Sequence, residues 1–124
     1  MSDISTLQTN LAGIVISEDI QLSPTKILTI YPTTGAGKGS GFIITVGCAN
    51  VNGKSILIGH FNPSNVPTIT NLNSSASAIT ANADSVNNII TIQNDADTSS
   101  KLYIRIITFF GSAPTFSYPP PSST

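Results

Sequence analysis

Short runs rich in β-branched residues recur along this chain about every ten residues, and this spacing constrains the fold more than any other feature. Each run is bounded by Gly, Pro, Asn, Asp or Ser, which favour turns, and no helical pattern lies between the runs. The predicted strands are residues 13–17, 26–31, 41–47, 54–61, 68–72, 78–81, 86–93 and 101–110. About eight short strands at this spacing predict an all-β fold, a single antiparallel β-sandwich of the jelly-roll or immunoglobulin-like type.

Three segments of the chain differ in composition. Residues 1–12 are predicted to form an N-terminal arm or a short helix, since their apolar residues have helical spacing. Residues 13–111 contain the predicted strands and form the β-sandwich domain, in which Asn52-Gly53 between two apolar runs is the clearest hairpin signal. Residues 112–124 are predicted to form an extended tail, because their three successive prolines favour polyproline II.

The chain carries few charges for its 124 residues. Charged residues make up 9% of the sequence, the net charge is −1, and the five basic residues are scattered. Nucleic-acid binding needs clustered cations that displace counterions from phosphates, so no nucleic-acid partner is expected. No apolar run is long enough to span a bilayer and no signal peptide is visible, so we expect no membrane partner and synthesis in a cytoplasm. The single cysteine excludes an intrachain disulfide.

The stretch TTGAGKGSGF, residues 33–42, raises the question of a phosphate-binding loop. A Walker A pattern ending at Gly37-Lys38 needs a glycine five residues before Gly37, where Pro32 stands. It also needs a hydroxyl residue where Gly39 stands. The dinucleotide-binding pattern fails in the same stretch, and a predicted strand, not a helix, follows it. We interpret the stretch as a pliable connection between strands, so no cofactor is predicted.

The other chemically reactive residues are few and isolated in sequence. His60 is the only histidine and ends a predicted strand, so a small enzyme centred on this imidazole is one hypothesis. Cys48 has no second cysteine with which to form an ordinary zinc site, and we interpret it as a small buried hydrophobe. Asp95 and Asp97 have the spacing that starts a calcium loop, but the required Gly and Glu positions hold other residues. A weak cation site in this loop stays open, and no catalytic or metal-binding residue is predicted.

The last predicted strand, residues 101–110, is largely apolar on both faces. Its core face is predicted to carry Leu102, Ile104, Ile106, Thr108 and Phe110, and its outer face Tyr103, Arg105, Ile107 and Phe109. A sandwich in solution is normally polar on its outer faces. We therefore expect a neighbouring subunit to cover this face, with a long loop lying over it as the alternative. With the tail included, the predicted partner-binding residues are Tyr103, Arg105, Ile107, Phe109, Phe116, Tyr118, Pro119, Pro120 and Pro121.

Strands such as FIITVGCANVNGKSILIGHF and NIITIQNDADTSSKLYIRIITFF are joined by loops rich in Asn and Ser, and Ser, Thr and Asn make up about a third of the chain. In this style the sequence resembles small β-sandwich structural proteins of bacteriophages and large DNA viruses, of the capsid-decoration, tail-fibre or spike type. The resemblance implies a non-enzymatic protein of the virion, made in the host cytoplasm, that forms a homo-oligomer, commonly a trimer, and docks to other virion proteins. The alternative is a carbohydrate-binding module or adhesin tip, with a host glycan as partner and exposed tyrosines as its platform.

Overall fold

The computed structural model of the protein describes residues 14–33, 39–48, 55–72, 79–95 and 101–119. These residues form ten β-strands and no helix. The strands are β1 (Val15–Ile16), β2 (Ile20–Leu22), β3 (Ile27–Tyr31), β4 (Ser40–Cys48), β5 (Ser55–Phe61), β6 (Pro67–Asn71), β7 (Ile79–Asp84), β8 (Ile89–Asn94), β9 (Leu102–Gly111) and β10 (Thr115–Ser117). The predicted N-terminal arm, residues 1–12, lies outside the described residues. Nothing in the described ranges is a helix long and apolar enough to cross a membrane.

The strands form two antiparallel sheets that pack together as a β-sandwich. The six-stranded sheet has the order β1-β9-β4-β5-β6, and β2 pairs with β9 along the same edge as β1. The four-stranded sheet has the order β10-β3-β8-β7. The predicted all-β, antiparallel β-sandwich is therefore confirmed, with ten strands in the described residues.

The alternation of side chains along each strand places the core between the two sheets. In β4, Phe42, Ile44 and Val46 are buried, and in β8 Ile90 and Ile92 are buried. The other buried apolar side chains of the core are Ile20, Leu22, Leu28, Ile30, Leu57, Phe61, Ile79, Leu102, Ile104 and Ile106. Every second residue of a strand faces the same side, so the residues between these core positions face outward. The outward residues decide which surfaces the sandwich presents.

The short strands β2 and β10 are the two that the sequence does not predict. Each has three residues, which is too few to show an alternating pattern, and Pro114 stands just before β10. Each becomes a strand by pairing with a distant one, β2 with β9 and β10 with β3. Residues 115–117, which the sequence places in the tail, are therefore part of the four-stranded sheet, and the sandwich extends beyond residue 111.

The strands on either side of the predicted turns before and after β4 lie within about one residue of where the sequence places them. Strands β4 and β5 pair antiparallel as the predicted hairpin, although Asn52-Gly53 itself lies outside the described residues. In the glycine-rich stretch, Gly39 has a positive φ of 74°, and Ser40 begins β4. Residues 34–38 are outside the described ranges. A strand follows the stretch, so the helix N-terminus that a phosphate loop requires does not follow it.

A β-bulge in β9 changes the face on which Phe110 lies. Phe42 pairs with Thr108 while Gly41 pairs with Phe110, so Phe109 has no residue opposite it. A Cβ on Gly41, which would point outward, would overlap the Phe110 ring and lie 3.0 Å from Cζ of Phe109. Both rings therefore lie on the outer side of the sheet. The prediction that Phe110 faces the core is wrong, because the bulge interrupts the alternation from which it was drawn.

Candidate functional site

Four isoleucines line up across the outer side of the six-stranded sheet. Ile58 in β5 lies opposite Ile43 in β4, and Ile43 lies opposite Ile107 in β9. Ile107 in turn lies opposite Ile16 in β1. Opposite residues in neighbouring strands point to the same side and are close enough to contact each other. Ile16 and Ile58 are 58% and 40% exposed, so this row of isoleucines faces solvent.

An aromatic cluster lies beside this row. The ring centroids of Phe109 and Phe110 are 5.5 Å apart in an edge-to-face arrangement, and the His60 ring lies 6.0 Å from that of Phe110. The two phenylalanine rings lie over Gly41, which has no side chain to displace them. Both phenylalanines are nearly half exposed. The four isoleucines of the row, the two phenylalanines and the exposed Ile56 form one surface, which we call the apolar face. Its seven residues are Ile16, Ile43, Ile56, Ile58, Ile107, Phe109 and Phe110.

The charge at the edge of the apolar face is neutralised within the chain. Arg105 is the only Lys, Arg, Asp or Glu in the described strands of the six-stranded sheet, and its Nε donates a hydrogen bond to Oδ1 of Asp19. This hydrogen bond, with the charge of Arg105, holds the pKa of Asp19 below its usual value and raises the pKa of Arg105. Both side chains are exposed, so the ion pair adds little to stability. Its consequence is that the face presents no unpaired charge.

The outer side of the four-stranded sheet has a different chemistry. One residue from each of its strands lies opposite the next in a single polar row: Ser117, Thr29, Thr91 and Asn82. We call this row, with the neighbouring Thr80, Gln93 and Thr115, the polar face. Three large apolar side chains lie on the same side: Ile27 and Tyr31, at the ends of β3, are exposed, and Ile89, at the start of β8, is half-buried. Hydroxyl and amide groups hydrogen-bond to water, so this side suits a surface in contact with solvent.

The predicted partner-binding residues of the last strand all lie on the outer side of the six-stranded sheet. Tyr103, Arg105, Ile107 and Phe109 alternate with buried residues along β9. Ile107 and Phe109 belong to the apolar face, while Tyr103, 47% exposed, and Arg105 lie next to it. The structure therefore brings these four residues together on one surface.

The predicted tail residues lie elsewhere, at the edge of the four-stranded sheet. Phe116 and Tyr118 are partly buried against the core, and their stacked rings have centroids 6.1 Å apart. Burial, together with the nearby Glu18 carboxylate, raises the pKa of Tyr118, whose hydroxyl donates to Oε1 of Glu18 at 3.4 Å. These two rings thus pack within the chain. Pro119 is exposed, and Pro120 and Pro121 lie outside the described residues.

Sequence reasoning left five residues of the apolar face out of the candidate site. Ile43, Ile56 and Ile58 carried a usable signal, because their strands, like the last one, are apolar on both sides. Ile16 and Phe110 carried none, because the pairing of β1 with β9 and the bulge in β9 depend on distant contacts. The alternation within single strands therefore reveals part of the face.

The chemically reactive candidates are dispersed over the described part of the chain. His60 lies in the aromatic cluster opposite Thr68. Asp95 accepts a hydrogen bond from Oγ1 of Thr80, and Asp97 is outside the described ranges, so the cation site stays a prediction. Cys48 is the last residue of β4. Among the described residues, no group of three or more His, Cys, Asp or Glu side chains lies close enough together to hold a metal ion.

Comparison of the chain with protein-family models, with curated proteins and with solved structures found no significant match. Function is therefore inferred from the fold and from the contrast between the apolar face and the polar face.

Proposed function

We propose that this chain is a non-enzymatic structural protein of a virion, a capsid-decoration, minor capsid or tail-fibre component. It acts by self-association and by docking to other virion proteins. The observation that carries the proposal is the apolar face, which lies on the outer side of one sheet while the other sheet presents the polar face. The resemblance of the sequence to small β-sandwich virion proteins supports the same role.

The exposed apolar area on this side of the sheet is as large as the patches through which proteins often act. Six large side chains on or beside the apolar face are 40–58% exposed: Ile16, Ile56, Ile58, Tyr103, Phe109 and Phe110. At about 100 Å² for each half-exposed side chain of this size, they present about 600 Å² of apolar surface. The largest apolar patch on a typical monomer is about 300–600 Å² and is often functional. Covering this area contributes about 15 kcal/mol, which is comparable to the cost of about 4–15 kcal/mol for association.

Mass spectrometry of purified particles tests the proposal. Particles from the source culture are banded on a density gradient, washed with salt and digested with trypsin. The tryptic peptides 27–38 and 39–54, bounded by lysines, identify the chain. We expect both peptides in the washed particle fraction, in a constant ratio to the major capsid protein. Their absence from particles, or their removal by the wash together with soluble host proteins, would contradict the proposal.

A carbohydrate-binding or adhesin-tip role is the alternative, and the exposure of Tyr103 favours it. The Tyr103 ring is 47% exposed, two residues from Arg105, so an aromatic platform lies near a hydrogen-bonding guanidinium. A glycan array probed with the wild-type chain, with Tyr103→Ala and with Tyr31→Ala separates the two roles. Tyr31 is the matched control, because it is a half-exposed tyrosine on the other sheet. Sugar binding that only Tyr103→Ala abolishes would favour the alternative.

A further inference from the structure

We infer that two copies of this chain pack with their apolar faces together, related by a twofold axis. The inference rests on the proposed function, and it goes further by naming the partner of the apolar face and the number of copies in the basic unit. The partner is a second copy of the chain, and the basic unit is a dimer.

The chemistry of the apolar face restricts what can cover it. Its centre consists of isoleucines, and Arg105, the only charged residue in the described strands of this sheet, already pairs with Asp19. A charged partner surface would lose its hydration here without finding an opposite charge. The partner must therefore be apolar and uncharged. The apolar face of a second copy meets these requirements, and a net charge of −1 causes little repulsion between copies.

The polar face decides between a face-to-face and a head-to-tail arrangement. If copies associated head to tail through their sheet faces, the apolar face of one copy would cover the polar face of the next. The hydroxyl and amide groups of Thr29, Thr91 and Asn82 would then lose water without gaining partners. Face-to-face contact instead buries apolar area on both copies. Contact between identical surfaces is closed at two copies, whereas the trimer that the resemblance implies needs head-to-tail contacts.

The relief of this side of the sheet indicates the direction of the twofold axis. Phe109 and Phe110 rise on one side of the isoleucine row. On the other side the small residues Thr45 and Gly47 of β4 face outward, with Tyr103 and Arg105 of β9 along one flank and Ile56 of β5 along the other. A Cβ on Gly47 would meet no atom within 4 Å, so the space above Gly47 is open. Rotation about an axis along the row exchanges the level of Gly41 with that of Thr45, so the two rings of each copy lie over Thr45 of the other, next to Gly47. The rings of one copy then fit between the side chains that flank Thr45 in the other, as interface packing requires.

Light scattering coupled to size exclusion, with sedimentation equilibrium, tests this arrangement on the full chain. We expect wild-type protein to have twice the monomer mass of 12.9 kDa. Ile107→Lys in the middle of the row and Gly47→Lys at its open side each place two lysines, one from each copy, in the interface. Each is expected to raise the dimer Kd at least about 100-fold. Thr91→Lys, at the middle of the polar face, is the matched control and is expected to remain dimeric.

Circular dichroism shows whether each variant is folded. If Ile107→Lys does not fold, Gly47→Lys still tests the arrangement, because the lysine side chain at position 47 enters open space. A wild-type mass of one or three chains overturns the inference, and so does a monomeric Thr91→Lys or a dimeric Gly47→Lys. The particle measurement separates this inference from the proposed function. If the chain is a trimer and is present in particles, the twofold dimer is contradicted and the virion role is supported. If the chain is a dimer and is absent from particles, the dimer is supported and the virion role is contradicted.

Discussion

At the scale of single residues, two glycines make room for aromatic rings on opposite sides of the six-stranded sheet. Gly41 lies under Phe110 on the outer side, and Gly59 lies under Phe42 on the core side. Phe42 is fully buried, and a Cβ on Gly59 would overlap its ring. A glycine within a strand often marks such a close approach. Each glycine therefore allows a neighbouring ring to lie flat on the sheet.

Replacing Gly59 tests this account of the core. We expect Gly59→Ala to lower the free energy of unfolding by about 1–3 kcal/mol, because the added methyl group forces the Phe42 ring out of its packing. Gly47→Ala is the matched control, since a Cβ there meets no atom of its own chain within 4 Å. Both substitutions are made in the Ile107→Lys background, in which no second copy is expected to cover Gly47. Urea denaturation measures both. Equal losses of stability in the two variants would show that steric overlap with Phe42 is not the cause.

The turn between β7 and β8 depends on Asp84. Its carboxylate accepts hydrogen bonds from the Asn87 side-chain amide at 2.8 Å and from the backbone N–H groups of Asn87 at 3.1 Å and Val86 at 3.0 Å. These hydrogen bonds, the one from the Asn87 side chain first, hold the pKa of Asp84 below its ordinary value of 3.8. A carboxylate whose folded-state pKa is lowered stabilises the fold fully above that ordinary value.

The pH dependence of stability follows from this shift. Asp84 stabilises the native state above pH 3.8, and its contribution is lost as the pH falls through the lower folded-state pKa. Asp84→Asn keeps a side-chain acceptor but does not titrate in this range. We therefore expect stability to fall less steeply with acid in Asp84→Asn than in the wild type. Urea midpoints measured from neutral to acidic pH check this, and parallel curves for the two proteins would contradict it.

At the scale of strands, β9 connects the core with the apolar face. It pairs with β4 along one edge and with both β1 and β2 along the other. Its inward side chains, such as Ile104 and Ile106, are buried, and its outward side chains lie on or beside the apolar face. A substitution in β9 can therefore alter the fold or the surface according to the side on which it lies.

The position of Phe116 in β10 predicts that part of the predicted tail stabilises the fold. Phe116 lies opposite Ile30 and packs against the core, so we expect Phe116→Ala to lower the free energy of unfolding by about 1–3 kcal/mol. The neighbouring Thr115 is exposed, and Thr115→Ala is the matched control. Thermal or urea unfolding distinguishes the two. If Phe116→Ala is as stable as the wild type and loses partner binding, Phe116 acts as the tail contact that the sequence predicts.

At the scale of the whole molecule, the sandwich presents two outer sides of opposite character. The apolar face belongs to the sheet that contains β9, and the polar face belongs to the sheet that contains β8. A monomer in solution would leave the apolar face in contact with water, which is unfavourable. The asymmetry between the two sides therefore favours association through one of them, which leaves the other free for solvent or for a further partner.

The proposed association through the apolar face would make thermal stability depend on protein concentration. If the dimer unfolds to two separate chains, mass action raises Tm as the protein concentration rises, by about 3 °C for each tenfold increase in a protein of this size. Differential scanning calorimetry over a hundredfold range of concentration measures the effect. Ile107→Lys is expected to show a Tm that does not change with concentration, and the same slope in wild type and variant would contradict the role of the apolar face.

A residue of the apolar face can be predicted from sequence only when the direction of its side chain depends on neighbouring positions in the chain. The outward direction of Tyr103 and Ile107 follows from the alternation within one strand. Phe110 could not be assigned in this way, because its direction depends on a bulge in the pairing with β4. Phe116 reads as a tail residue because Pro114 and the prolines after Tyr118 surround it, and only its pairing with β3 makes it part of the sandwich.

The sequence by itself determined the fold class, the approximate positions of eight of the ten described strands and most of the residues that face the core. These properties depend on alternation and on turn residues, which act over a few neighbouring positions. Only the tertiary structure decided the short strands β2 and β10, the bulge in β9 and the assembly of the isoleucine row. Ile16 and Ile107, which are about 90 positions apart in the chain, meet only because β1 pairs with β9. A surface built from such distant pairings has no local signature, since the register between strands is set by the whole packed sandwich.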